Sequence, residues 1–201
     1  LAVQAAARHE VMLWGRSEAA VAAMRAQRRN PYLPETELPA TLALSASFDE
    51  ALAHAAEGLI VIATPMAALR QMLSAMPAGS RVLWLCKGFE AGSGLLGHEI
   101  ARELGVALRV GILSGPSFAQ EVAADQPTAL VAASEDAALA QAAVDVFHSE
   151  RLRVYTSSDP VGVEVGGAVK NVMAIAVGVA DGLRLLAEAR GDAAKGPGLN
   201  A

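Results

Sequence analysis

Two lysines sit where a lysine needs a reason. Lys170 lies in GGAVKNVMAIAVGVA, a stretch of small and apolar residues with helical character. An ammonium there has to be paired, neutral or chemically employed. Burial and neighbouring cations lower a lysine pKa toward the working pH and suit it to general acid/base catalysis. The plain alternative is a side chain snorkelling off an exposed helix face, which the adjacent Asn171 permits. Lys87 follows the apolar run VLWLC and precedes Gly88, so it presents a cation at a strand end beside a residue free to take unusual backbone angles. A solvated strand-end lysine reads equally well. The segment Ser114-Gly115-Pro116-Ser117-Phe118-Ala119 offers free N–H groups from Ser117 onward that can hold a phosphate, although Gly-Pro-Ser is also a common turn. Arg16 follows VMLW. At the end of the second strand of a nucleotide-binding fold, an acidic residue meets the ribose of NAD and an arginine meets the 2′-phosphate of NADP. An ordinary surface arginine is the alternative, although a helix N-terminus disfavours cations.

Other chemistries lack their residues. His9, His54, His98 and His148 are scattered without metal-ligand spacing, so no metal site is expected. No Ser-His-Asp order or G-x-S-x-G elbow supports nucleophilic catalysis.

For these groups to meet, the chain must bring several strand ends to one edge. LAVQAAARHE reads as the last turns of a helix, and Val11–Trp14 as a short strand. Ser17 caps a helix that Asn30–Pro34 stops, and Ser47 caps a short helix before Gly58. Leu59–Ala63, Val82–Cys86, Leu108–Leu113, Pro127–Ser134 and Leu152–Thr156 read as buried strands. Between them lie helices at Met66–Met76 and within SEDAALAQAAVDVFHS. This alternation predicts an α/β fold, a Rossmann-like doubly wound and mostly parallel sheet, whose ligands gather beyond the strand C-termini. After Ser158 strand punctuation ceases, so residues 1–157 are read as the nucleotide-binding domain and 158–201 as the start of an all-helical second domain. Ala189–Ala201 reads as a Gly-rich loop.

Composition narrows the partners. The chain is 53% hydrophobic but only 4% aromatic, an alanine-rich balance that favours packed helices over an aromatic-rich β-sandwich. A net charge of −5 argues against binding nucleic acid or an anionic membrane surface. The single cysteine, Cys86, cannot form an internal disulfide and fits a reduced cytoplasmic setting. No signal peptide is expected, and Val169–Val179 is too short to span a bilayer.

The ordered series LWGR, NPYLP, LIVIATP, CKGFE, GPSFAQEVA, PTALVAAS and RVYTSSDPVGVEVGGAVKNVMAIAVGVADGL resembles the bacterial NAD(P)-dependent glycerol-3-phosphate dehydrogenases, through to about Leu183. GPSFA-x-E followed by GGA-x-KN is specific to that family, whereas either motif alone is weak. The resemblance implies hydride transfer between NADPH or NADH and dihydroxyacetone phosphate, giving glycerol 3-phosphate for phospholipid synthesis, and it is compatible with a homodimer. It implies Lys170 as the general acid/base, with Lys87, Gly115, Ser117 and Asn171 contacting substrate. Arg16, Tyr32 and Ala119, with Lys87 close by, fall at cofactor-contacting positions.

Two departures accompany it. The first strand and Gly-rich loop of the family are not found ahead of Leu1, and its C-terminal acid and Arg-Asn pair are not found before Ala201, so Leu1–Ala201 alone is expected to be inactive. The Arg184–Gly198 segment departs from the family as an insertion without an assigned role. The rival readings are another two-domain dehydrogenase, of hydroxyacid or UDP-sugar type, and a non-catalytic nucleotide-binding module. Retention of both Lys87 and Lys170 argues against the second, since binding alone needs no proton-transfer lysine.

Overall fold

A computed structural model describes residues 1–189; the 190–201 part of the expected loop and insertion lies outside them. The described elements follow the expected alternation. Helix α1 (Ala2–Ala5) leads to β1 (Met12–Trp14), and α2 (Glu18–Gln27) starts at Ser17, whose hydroxyl accepts the Ala20 N–H at 3.3 Å. Helix α3 (Phe48–His54) starts in the same way at Ser47, which accepts from Glu50 N–H at 3.2 Å. Strand β5 (Leu59–Ile62) is followed by a 3₁₀ turn and α4 (Leu69–Ser74), then β6 (Arg81–Trp84), α5 (Gly97–Leu104) and β7 (Arg109–Ser114). Helix α6 (Ala119–Ala123), β8 (Thr128–Ala133), α7 (Ala137–Phe147), β9 (Leu152–Ser157) and α8 (Pro160–Ala189) complete the order.

Helix α2 ends before Asn30–Pro34 as expected, and that segment lies in an unforeseen hairpin, β2 (Arg29–Asn30) against β3 (Leu33–Glu37), before a short β4 (Ala43–Ser45). Its cause is Arg28. That residue ends α2 in the left-handed region at φ 48°, and its guanidinium donates to the carbonyls of Leu38 and Leu42, both at 3.2 Å, and to that of Pro39. A side chain thereby satisfies backbone groups that a short strand leaves free. Such a long-range contact has no signature in local periodicity.

Strands β5, β6, β7, β8 and β9 form one sheet in sequence order, and β1 pairs with β4 in a separate parallel ribbon. Within the larger sheet every pairing is parallel except β7 with β8. Alternate side chains bury on opposite faces, as the pleat requires. Leu83, Leu113 and Ala132 pack beneath α7 and α1, together with Leu139, Ala143 and Phe147. Val82, Trp84, Ile112 and Ala133 pack on the other face with Leu69 and Leu73 of α4 and Ile100 of α5. Both faces are covered, so the winding is double.

The reversal at β8 decides where the last helix goes. Because β9 runs with β8 and against β7, a helix that folds back along β9 travels in the direction of β6 and β7, toward their C-terminal ends. Asp159 starts α8 by accepting the Gly162 N–H at 2.8 Å. Val163 then joins the cluster around Trp84, and the later turns project past the sheet, where Val172, Met173, Ile175 and Leu183 are exposed. By length and composition alone Pro160–Glu188 is long and apolar enough to cross a membrane, which the shorter Val169–Val179 window does not reveal. The opposite end of the chain is fastened at long range. Gln4 donates to the Val122 carbonyl at 3.0 Å, and Arg8 to those of Val146 at 3.1 Å and His148 at 2.9 Å.

Candidate functional site

Strands β6 and β7 end side by side, and the segment beyond each strand meets α8. After β6 the chain passes Cys86, whose buried thiol donates to the Thr64 carbonyl at 3.0 Å and is pushed up in pKa by that burial. Lys87 comes next, and its ammonium donates to the Gly115 carbonyl, just past β7, at 3.1 Å. Gly88 turns the chain away at φ 95°, a conformation that favours glycine. The turn is then held by Glu90, which accepts a bidentate pair from Arg70 at 2.8 and 2.7 Å and a bond from Ser93 at 2.6 Å. The Arg70 hydrogen bond, followed by that of Ser93, draws the Glu90 carboxyl down to about 2.

Gly115 and Gly167 let the pieces close up. A Cβ at Gly115 would lie 2.6 Å from the Ala129 carbonyl oxygen, so only glycine lets this turn pass β8 unchanged. One at Gly167, on α8, would lie 3.1 Å from the Ser114 hydroxyl and 3.8 Å from Cγ of Lys87. The small-residue pair Gly166-Gly167 thus serves close approach at its second member. Three residues further along the helix, the Lys170 ammonium stands 5.8 Å from the centre of the exposed Phe118 ring. Lys170 is half buried, and Asn171 beside it is exposed. Partial burial, and after it the charge of Lys170, hold the Lys87 ammonium below its ordinary pKa. Among the described residues neither lysine has an ion-pair partner.

Lys87, Gly115 and Ser117 therefore lie together beyond β6 and β7, with Lys170 one turn along α8 from Gly167, which packs against them; Asn171 follows Lys170 and is exposed. Ser117 closes the turn by donating its N–H to the Gly115 carbonyl at 3.0 Å. Ala119 opens α6, which packs against β3. Arg16 is exposed just beyond β1, and Tyr32 is 86% exposed at the β2–β3 tip. Arg16 thus lies at the end of the β1–β4 ribbon, and Tyr32 on the hairpin whose β3 meets α6. A cleft of about 390 Å³ at Ile60, Gly79 and Ser80 lies at the opposite ends of β5 and β6, away from these groups.

One participant was missed by the sequence reading. Glu164 is 4% exposed and accepts from Trp84 Nε1 at 2.9 Å and from the His98 N–H at 3.2 Å. Its second oxygen also meets His98 Nδ1 at 2.5 Å. The signal was available in VGVEVGGAV, where an acid interrupts an apolar helix as Lys170 does six residues later.

The NAD-dependent glycerol-3-phosphate dehydrogenase N-terminal model matches residues 1–140, and the C-terminal model of the same enzymes matches residues 159–195. The chain belongs to this family. A glycerol-3-phosphate dehydrogenase [NAD(P)+] of Methylibium petroleiphilum is 62% identical over 194 residues, which cover 94% of this chain and 58% of that protein. The Leptothrix cholodnii protein of the same name is 58% identical, covering 94% of this chain and 60% of its own length. The crystal structure of the Coxiella burnetii glycerol-3-phosphate dehydrogenase superposes with a TM-score of 0.78 at 36% identity, covering 95% of this chain and 60% of that one. The chain thus spans about 60% of the length of the glycerol-3-phosphate dehydrogenases it matches. The Rossmann-like fold leading into a helical segment is that of the family.

Proposed function

We propose that the protein carrying this chain is an NAD(P)-dependent oxidoreductase that interconverts dihydroxyacetone phosphate and glycerol 3-phosphate. The observation that carries the reading is the convergence of Lys87, just beyond β6, and Lys170, within α8, beside the end of β7 in a chain of net charge −5. Two ammonium groups without carboxylate partners repel each other, and a doubly charged phosphate ester between them would relieve that repulsion. Family membership and the names of the relatives support the choice of substrate.

In this reading Lys170 hands a proton to the oxygen on C2 of dihydroxyacetone phosphate, or takes it back in the reverse direction. Lys87, fixed by the Gly115 carbonyl, holds substrate with Gly115, Ser117 and Asn171. When bound, a nicotinamide cofactor would supply the hydride to C2 or accept it in the reverse direction. Arg16, Tyr32 and Ala119, with Lys87 at the border, would hold it. The fit rests on the exposure of Arg16 and Tyr32 and on the placing of Ala119 where α6 meets β3. An arginine beyond β1 favours NADPH over NADH. The domain division is taken at residues 157 and 158, between β9 and α8. The free, buried Cys86 supports a cytoplasmic setting, and the phospholipid-precursor direction rests on the family.

The deciding experiment follows NADPH absorbance with dihydroxyacetone phosphate, using this chain completed with the flanking segments of the Methylibium petroleiphilum relative. Lys170→Ala is expected to lower turnover by a factor on the order of 10²–10⁴ with NADPH binding retained. An inactive wild type would transfer the assignment to another anionic substrate. A fully active variant would show that a different group carries the proton.

A further inference from the structure

Glu164 is the one charged residue buried among the described residues, and nothing in the proton-transfer scheme uses it. A carboxylate leaves water at considerable expense unless donors replace the water, and here three do. Trp84 Nε1 comes from the last residue of β6, and the N–H and Nδ1 of His98 come from the start of α5, where the helix dipole also favours a negative charge. The packing around this contact leaves no slack. A Cβ at Gly97 would lie 2.6 Å from Glu164 Oε1 and 2.7 Å from Trp84 Nε1.

Residues 164, 167 and 170 succeed one another at intervals of three along α8, so they form a steeply inclined row on one side of the helix. Glu164 fastens the first member to β6 and α5, and Gly167 lays the second against Ser114 and Lys87. The third is Lys170. With two of the three points fixed, neither the rotation of α8 about its axis nor its sliding along the sheet is free. The Lys170 ammonium is then held beside the Phe118 ring, near enough for its charge to act on Lys87, before any ligand arrives.

We propose that Glu164, held by Trp84 and His98, is a positioning residue that sets Lys170 for proton transfer. This rests on the role given to Lys170 above. Displacement of a catalytic group by about 1 Å can lower turnover on the order of 10²-fold. Glu164→Gln keeps the volume but cannot accept from both Trp84 and His98 as the carboxylate does.

The test measures kcat, KM for dihydroxyacetone phosphate, the NADPH dissociation constant and the solvent deuterium isotope effect in the completed chain. Glu164→Gln is expected to lower kcat by roughly 10- to 100-fold, with KM and NADPH affinity within about threefold of the wild type. The isotope effect on kcat should rise, because proton transfer becomes slower than the other steps; loss of folded protein alone would not raise it. In a Lys170→Ala background the same substitution should have little further effect, since a residue acting through Lys170 has nothing left to act on. His98→Asn, which retains the backbone donor, should give a smaller loss of the same kind and keeps the question open to experiment if Glu164→Gln does not fold. Unchanged kcat in both variants, or full additivity with Lys170→Ala, would overturn the positioning role while leaving Lys170 in place. A fully active Lys170→Ala would instead remove the reading on which it rests.

Discussion

Lys87 shows how one residue reports on another. Its ammonium is held below the ordinary lysine range first by partial burial and then by the charge of Lys170. Removing only the second cause raises the Lys87 pKa part of the way back, because burial remains. Lys170→Ala is therefore expected to move the half-point of Lys87 acylation to higher pH, read by mass spectrometry after limited labelling across a pH series. An unmoved half-point would mean that the two ammonium groups do not sense each other. Lys87 and Lys170 were legible in the sequence because a cation interrupting apolar residues is conspicuous. Glu164 breaks its helix in the same way, yet its partners Trp84 and His98 lie 80 and 66 residues away, and no local pattern points to them.

Among the elements, the turn after β6 depends on a charge. The Glu90 carboxyl titrates at about 2 because Arg70 and Ser93 bond its ionised form, against 4.5 for an unperturbed glutamate. A carboxyl whose folded pKa is depressed stabilises the fold fully above its unfolded value and loses that contribution as pH falls toward the folded one. Glu90→Gln is thus expected to lower the thermal midpoint relative to wild type above about pH 5, with the gap narrowing steadily down to about pH 2. A pH-independent gap would assign the effect to packing. The strands of the five-stranded sheet were readable as apolar runs, and caps such as Ser17 and Ser47 as polar residues before helices. The β2–β3 hairpin was not, since it depends on Arg28 reaching carbonyls ten and more residues ahead. The direction of β8 was not readable either, because an apolar run looks the same whichever way it pairs.

Across the whole molecule, stability rests on two sheet faces that share strands, so a cavity on either is felt through the same backbone. Leu113 is fully buried beneath α7, and Leu113→Ala is expected to destabilise the chain by about 2–5 kcal/mol in urea unfolding. A loss below about 1 kcal/mol would show that the α7 side collapses onto the gap. The fastening of the amino-terminal residues has a different kind of consequence, one in time. Arg8 is bonded to the carbonyls of Val146 and His148, some 140 positions later in the order of synthesis. A ribosome adding about 5–20 residues per second reaches those partners roughly seven to twenty-eight seconds after Arg8 is made. Helix α1 can rest meanwhile on Val21, Met24, Leu42 and Leu44, which are made soon after it, but Arg8 waits for its carbonyl partners, while β5, β6 and β7, neighbours in both sequence and space, can assemble as they emerge. The hydrogen bonds of the Arg8 side chain are therefore among the last of these contacts that can form.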